Sequence, residues 1–315
     1  MARCLIFLLL SIRSVAALTE FGVTYEFSGG RFGDCLLSYL HAKWLAHTKN
    51  IPLFYRPFPY SSQLTLHTKE FPYANLKGEP RLRSLIGNCP LNPRITLPIL
   101  YICPYFPEDL WEQRYTLGLN GLPWQIFTVN WKDLSFRQAV HEMLAPLQTL
   151  ELITPPSNCI TIAIHFREGG GFDDALAHAG WPLKFPPLNF YIEALTQAID
   201  LFPGKPIYCF LFTDALNPQL YAAQIVAALP QEISLTLDYR RVDNSPSKHV
   251  LEDFFSFFHF DVLIRPQSNF SMIPSLIHDF ALVYSPESFS RQDENTQITE
   301  IKVGKNEPLL ERLLR

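Results

Sequence analysis

The stretch from Ile160 to Asp174 reads Ile-Thr-Ile-Ala-Ile-His-Phe-Arg-Glu-Gly-Gly-Gly-Phe-Asp-Asp. An apolar, β-branched run gives way at once to His165, Arg167, Glu168, three glycines, Asp173 and Asp174. A short run of this type reads as a buried strand, and open α/β sheets place ligands outside the carboxyl ends of such strands. Arg167 offers there a planar, permanently charged fork suited to phosphate or carboxylate. The glycines let backbone approach a ligand closely. The plainer alternative is a surface turn with a solvated arginine.

Two more apolar runs end in polar groups. Ile207–Phe212 is followed by Thr213-Asp214, and Asp261–Ile264 by Ser268-Asn269-Phe270-Ser271, which opens an apolar helical pattern. In a parallel sheet these three strand tips line one crevice. A carboxylate such as Asp214 can accept paired donors from a purine edge. Arg167 and the Ser268–Ser271 helix start can hold a diphosphate. Taken singly, Asp214 and Ser268 are equally good helix N-caps, and His165 a satisfied core residue; taken together, they point to a nucleotide-diphosphate site.

A second glycine turn, Ser28-Gly-Gly30-Arg31-Phe32-Gly33-Asp34, follows an earlier strand. A dinucleotide fingerprint needs glycine two places before Gly30, and Ser28 stands there. The chain has no Walker loop, no Gly-x-Ser-x-Gly elbow and no zinc helix: His141-Glu142 begins the zinc pattern, but Ala145 occupies the second histidine's place. It also lacks an Asp-x-Asp pair to hold a divalent metal on a diphosphate. Cationic side chains and helix N-termini would therefore have to carry bound phosphates.

The elements that position these groups fall into two halves. The first opens β–α–β, with a strand over 21–27, a helix over 35–46 and a strand over 51–55. Between Arg56 and Asn120 prolines recur and the pattern implies long loops with short elements. A helix over 134–145 is stopped by Pro146. After Thr154-Pro-Pro-Ser-Asn158 the second half alternates strictly. Its strands are expected over 159–165, 207–212, 233–238, 261–264 and 281–285, and its helices over 188–201, 218–229, 250–259 and from Ser268. Such alternation predicts an α/β fold whose C-terminal domain is a doubly wound parallel sheet. The expected division is an N-terminal domain over 20–153 and a C-terminal one over 159–300.

With 315 residues, a net charge of −4 and no basic block, the chain is a packed globular protein and not a nucleic-acid binder. The cysteines show no Cys-x-x-Cys spacing, and Cys159 and Cys209 fall in expected buried strands, so free thiols are expected. Residues 1–19 combine a basic start, a short apolar core and a small-residue end, as a secretory signal peptide does; a buried first strand is the alternative. The signal implies export, a secretory lumen or membrane association, and its absence the cytoplasm. Its apolar run is too short for a membrane span, and no other segment has the length and apolarity of one.

Four motifs in order, within residues 22–290, resemble the fucosyltransferase superfamily, in particular α-1,2-fucosyltransferases and protein O-fucosyltransferases. Gly30-Arg31-Phe32-Gly33-Asp34 is similar to its opening Gly-Arg-Phe/Leu-Gly-Asn turn, and His165-Phe166-Arg167 to its His-x-Arg donor motif. Phe210-Leu-Phe-Thr213-Asp214 is similar to its second strand motif, and Asp261 through Ser268-Asn269-Phe270-Ser271 to its last. Glu168 stands where many members carry a second arginine, and Asp34 where they carry asparagine.

The resemblance implies two facing Rossmann-like domains of GT-B type, with a GDP-fucose donor, a glycan or protein hydroxyl as acceptor, and no metal. By carry-over, Arg167 would contact the β-phosphate, His165 and Asp214 the guanine, and Ser268 and Ser271, with Asn269 and Phe270 between them, the diphosphate. Gly30–Asp34 would approach the donor. In-line attack by an acceptor hydroxyl would invert the anomeric carbon, with Asp34, Glu168 and Asp173 (and Asp174 beside it) the candidate bases by position. The competing class is a non-catalytic secreted descendant that keeps the fold to bind a glycan or a protein.

Overall fold

The computed structural model describes residues 21–25, 27, 30–75, 81–84, 99–103, 129–169, 178, 180–230, 232–292 and 295–315. The N-terminal segment read as a signal peptide lies outside these residues, as do Ser28, Asp173 and Asp174. The chain divides into two compact units, Met1–Thr149 and Leu150–Arg315.

The first unit contains β1 (Phe21–Tyr25), α1 (Phe32–Lys49), β2 (Phe54–Tyr55), α2 (Leu66–Lys69), β3 (Phe71–Pro72), β4 (Arg81–Ser84), β5 (Ile99–Cys103) and α3 (Leu134–Leu144). Strands β1, β5 and β4 form a parallel sheet in that order, and β2 pairs with β3. The expected return strand over 51–55 is therefore shortened. Pro52 has no N–H to offer a ladder; its carbonyl accepts from Val23 at 2.9 Å, and a single bridge joins Val23 to Leu53. The full partner of β1 comes instead from the proline-rich region. Helix α1 exceeds the expected 35–46 at both ends and stops where Asn50 turns left-handed at φ 51°. Its buried Tyr39 packs on Tyr25 and Phe58, with ring centroids 5.9 and 6.3 Å away, and donates its hydroxyl to Glu70 at 2.8 Å.

The second unit contains β6 (Ile160–Phe166), α4 (Leu188–Asp200), β7 (Ile207–Thr213), α5 (Pro218–Ala227), β8 (Leu235–Tyr239), α6 (Val250–Ser256), β9 (Val262–Ile264), α7 (Asn269–Ile277), β10 (Leu282–Gln292), β11 (Asn295–Lys305) and α8 (Glu307–Leu314). Its sheet runs β11-β10-β9-β6-β7-β8, parallel throughout except for the antiparallel β10–β11 pair. The fold class is thus α/β, with a doubly wound, mainly parallel C-terminal sheet.

Three details depart from the sequence reading. Cys159 lies just before β6 and is partly exposed, its Sγ 3.3 Å from the Pro156 carbonyl; Cys209 is buried in β7, and both are free thiols. Strand β10 does not stop at Ser285. Pro286 looks like a terminator, yet it stands beside a register shift between Pro286 and Ser288, where a missing N–H is tolerated. The strand continues to Gln292 and returns as β11. Beyond Tyr284, among the described residues, β10 pairs with β11 alone, so the hairpin outruns β9 past the carboxyl edge of the sheet.

All seven residues of β6 are buried, because helices cover both faces. Ile160, Ile162, Ile164 and Phe166 enter one core with Phe190, Leu195 and Ile225. Ala163, between them, enters a second core with Phe210, Phe212, Phe257 and Leu263. This period of two fixes the side on which each neighbour of the strand tip emerges. No described helix is long and apolar enough to cross a membrane.

At the opposite end of the sheet, Asp261 Oδ2 accepts from the Thr161 backbone at 3.0 Å and hydroxyl at 2.7 Å, while Thr161 Oγ1 accepts from Asp261 N at 2.9 Å. This exchange pins β9 to β6. Thr161→Val removes the hydroxyl bonds to the Asp261 carboxylate and N–H, the N–H keeping the Thr161 carbonyl at 3.1 Å, and should cost about 1–2 kcal/mol. Urea denaturation measures the loss, and an unchanged midpoint would refute it.

Candidate functional site

Counted within the second unit, β6 is the first strand, and its neighbours β7 and β9 are the second and fourth. The winding therefore reverses between β6 and β9, the switch point outside which doubly wound sheets bind ligands. His165 and Arg167 stand at the tip of β6 on one side of that gap. Arg265, Gln267 and Ser268 follow β9 on the other.

These groups touch. Arg167 donates from Nη1 to Ser268 Oγ at 3.2 Å, and its guanidinium lies 5.3 Å from the centroid of Phe185. Ser268 is the N-cap residue of α7, whose first amides include Ser271 N and Met272 N, bonded back to the Ser268 carbonyl at 3.2 and 2.9 Å. The positive end of the α7 dipole thus meets Arg167. Arg265 is buried beside them; its backbone N–H donates to Tyr284 O at 2.9 Å and its Nη1 to Pro266 O at 3.2 Å. Gln267 fixes the loop from both directions, its N–H donating to Leu183 O at 2.8 Å and its side-chain amide to Pro286 O at 3.2 Å.

His165 is buried between Phe257 and Phe270, with centroids 6.0 and 5.4 Å away, and its Nδ1 lies 2.7 Å from Ser271 Oγ. Burial, reinforced by Arg167 and Arg265, pulls its pKa down from 6.5 to about 3. The imidazole is neutral at any physiological pH. It is a fixed polar contact among cations, able to offer a donor or an acceptor but not a charge.

The other flank of β6 carries the carboxylates. Asp214, just past β7, accepts at Oδ1 from Glu168 N at 2.7 Å and from Gly169 N at 3.1 Å, and at Oδ2 from Gly169 N at 3.2 Å. Two successive amides converging on one anion form a nest, and Gly169 makes it possible with φ 91°, a conformation suited to glycine. Asp214 therefore holds the turn that presents Arg167. Glu168 points away from the cations, accepting at Oε1 from Tyr221 OH of α5 at 2.5 Å.

The first-unit candidates form a helix start. Asp34 Oδ2 accepts from Arg31 N at 3.1 Å, so the carboxylate caps α1 near its positive end. Phe32 is buried against Phe58 and Tyr60, 6.3 and 6.0 Å between centroids, and Gly33 is buried in the same turn. A Cβ on Gly30 would fall 1.8 Å from Asp34 Oδ2, so glycine there permits the cap.

Of the predicted residues, His165, Arg167, Ser268 and Ser271 are brought together by direct contacts, with Asn269 buried in the same helix start. Phe270 packs on His165. Asp214 and Glu168 lie across β6, and Asp173 is outside the described residues. Sequence reading missed Arg265, Gln267, Phe185 and Tyr221. Arg265 had a signal, since it follows Ile264 at a strand end much as Arg167 follows Phe166; Tyr221 had none, being one apolar position of a helix.

Two outcomes follow. Below pH 6.5 the unfolded chain takes up a proton that buried His165 refuses until about pH 3, so stability should fall on acidification across that window. The slope from this one group is at most about 1.4 kcal/mol per pH unit. Asp253, raised to about 6 by burial, works in the opposite sense. The difference between wild type and His165→Asn in urea unfolding at pH 7 and pH 5 isolates the histidine; equal pH dependence in both would exclude it. Gly30→Ala should displace the Asp34 cap and cost about 1 kcal/mol or more, read as a lowered melting temperature that Gly30→Ala in an Asp34→Ala background no longer shows.

No protein-family model matches the chain, and no curated protein matches its sequence. Solved structures do match its fold. A mutant of Arabidopsis thaliana FUT1 in complex with GDP aligns with a TM-score of 0.52 at 12% identity, over 84% of this chain and 70% of that one. Fucosyltransferase NodZ from Bradyrhizobium aligns over 91% of this chain and 99% of its own, with a TM-score of 0.48 at 15% identity. POFUT1 in complex with GDP-fucose covers 84% of this chain and 95% of its own, with a TM-score of 0.44 at 12% identity. The chain has a fucosyltransferase-like fold.

Proposed function

We propose that the protein is a glycosyltransferase, an inverting and metal-independent fucosyltransferase that moves fucose from GDP-fucose to a glycan or protein hydroxyl. The observation that carries this reading is the contact between Arg167 and the N-cap Ser268 of α7, beside buried Arg265, at the switch point of the sheet. Two guanidinium groups and a helix N-terminus suit a diphosphate better than any uncharged ligand. The fold shared with the FUT1 mutant in complex with GDP supports the same assignment.

In this reading Arg167, Ser268 and the positive end of the α7 dipole hold the diphosphate, and neutral His165 with Ser271 lies on the nucleoside side. Asp214 acts by holding the Glu168–Gly169 turn. An acceptor oxygen forms its bond to the anomeric carbon as the bond to the β-phosphate oxygen breaks. The acceptor's proton passes to a general base, and the electron pair leaves on the diphosphate. Arg167 and the α7 dipole stabilise that growing charge without a divalent cation. Binding and leaving-group stabilisation thus fall on the same residue.

Isothermal titration with GDP in the presence of a chelator tests the donor site. Wild type should bind, and Arg167→Ala should bind at least about tenfold more weakly, with GDP-fucose turnover reduced about 10²-fold or more. Arg167→Lys should recover only part of either, because an ammonium lacks the planar fork. Undiminished turnover in Arg167→Ala would remove the assignment.

A further inference from the structure

Glu168 follows Arg167 directly, and a free carboxylate there would compete with a diphosphate for the guanidinium. The two side chains part at the strand tip. Arg167 reaches Ser268 and Phe185 on the β9 side, while Glu168 meets Tyr221 of α5 on the β7 side. The tyrosine is itself held, its ring 4.3 Å from Phe166, the last residue of β6. The Glu168 backbone is fixed as well, by Asp214 Oδ1 at 2.7 Å. Three groups from β6, β7 and α5 thus determine where one negative charge goes.

We propose that Tyr221 is a positioning residue for the anion site: its hydroxyl holds the Glu168 carboxylate on the α5 side of β6, leaving Arg167 to the diphosphate. The proposal rests on the reading of that crevice as a GDP site. Burial and the hydrogen bond to Glu168 push the Tyr221 phenol up to about 12, so it remains a donor throughout the working range of pH. Removing the hydroxyl alone releases a carboxylate one residue from the guanidinium. Removing the carboxylate as well takes that competitor away.

The test is a double-mutant cycle on the full chain, read as the Kd for GDP by titration calorimetry. Tyr221→Phe should weaken GDP about fivefold or more, in the range of coupling seen between contacting groups. Glu168→Gln should bind no more weakly than wild type, and the double variant should match Glu168→Gln within about twofold. Glu168→Asp, which keeps the charge but draws it back from Tyr221, should behave like Tyr221→Phe and serves if that variant fails to fold. Because the competing charge is screened, the Tyr221→Phe defect should shrink as salt rises from about 50 to about 500 mM. A merely structural role for Tyr221 would give neither the rescue nor the salt dependence. Wild-type affinity in both Tyr221→Phe and Glu168→Asp, or a double variant as weak as Tyr221→Phe, overturns the proposal while leaving the GDP site intact. A wild-type protein that binds no GDP overturns that site, and this proposal with it.

Discussion

Everything at the candidate site depends on one carboxylate. Asp214 gathers the amides of Glu168 and Gly169 where the chain leaves β6, and so fixes the direction in which Arg167 departs. An arginine on an unrestrained glycine loop would sample many positions and bind an anion weakly, because the ordering would have to be met on binding. Here the ordering is completed on folding. The buried strands beneath make the turn rigid: β6 is packed on both faces and bonded to β7 along its length, so Asp214 and its two amides approach one another from a single stiff sheet.

The sheet also separates charge. Asp214 and Glu168 lie toward β7 and α5, while Arg167, Arg265 and the start of α7 lie toward β9. In the low dielectric of a partly buried crevice, a few ångströms decide whether neighbouring charges cancel or act independently. Alternation along the strand gives the first separation, because consecutive side chains emerge on opposite faces. Neutral His165 fits the same arrangement. A third cation beside two guanidinium groups would be costly, and burial prevents it.

Much of this was legible from residue order. The run Ile160–Phe166 is apolar except at Thr161 and His165, a density that suits a strand covered on both faces, and each later strand–helix pair repeats that logic. The tips followed, because a parallel sheet puts all carboxyl ends on one edge. What sequence could not provide was the partner of each polar group. Asp214 at a strand end reads equally as a ligand, a cap or a loop anchor, and the choice depends on whether two amides happen to face it. Tyr221 looks like one more apolar residue on α5 until its hydroxyl is seen on Glu168. The ladder partner of β1 was hidden for a different reason: β5 lies in a proline-broken stretch with no clear period. Strand β10 outruns its expected end at 285 because a bulge, invisible in sequence, accommodates Pro286.

The β10–β11 hairpin has a mechanical consequence. A two-stranded ribbon has little stability of its own, and beyond Tyr284 this one has no third strand beside it among the described residues. Its root is joined through Pro286 to Gln267, whose neighbour is Ser268. The ribbon is therefore a lever whose short arm ends in the loop that carries the α7 cap. Ile298 of the ribbon is buried in the same core as α4, so a load that bends its far end is passed to that loop, and to the partner of Arg167, with the core as its fulcrum.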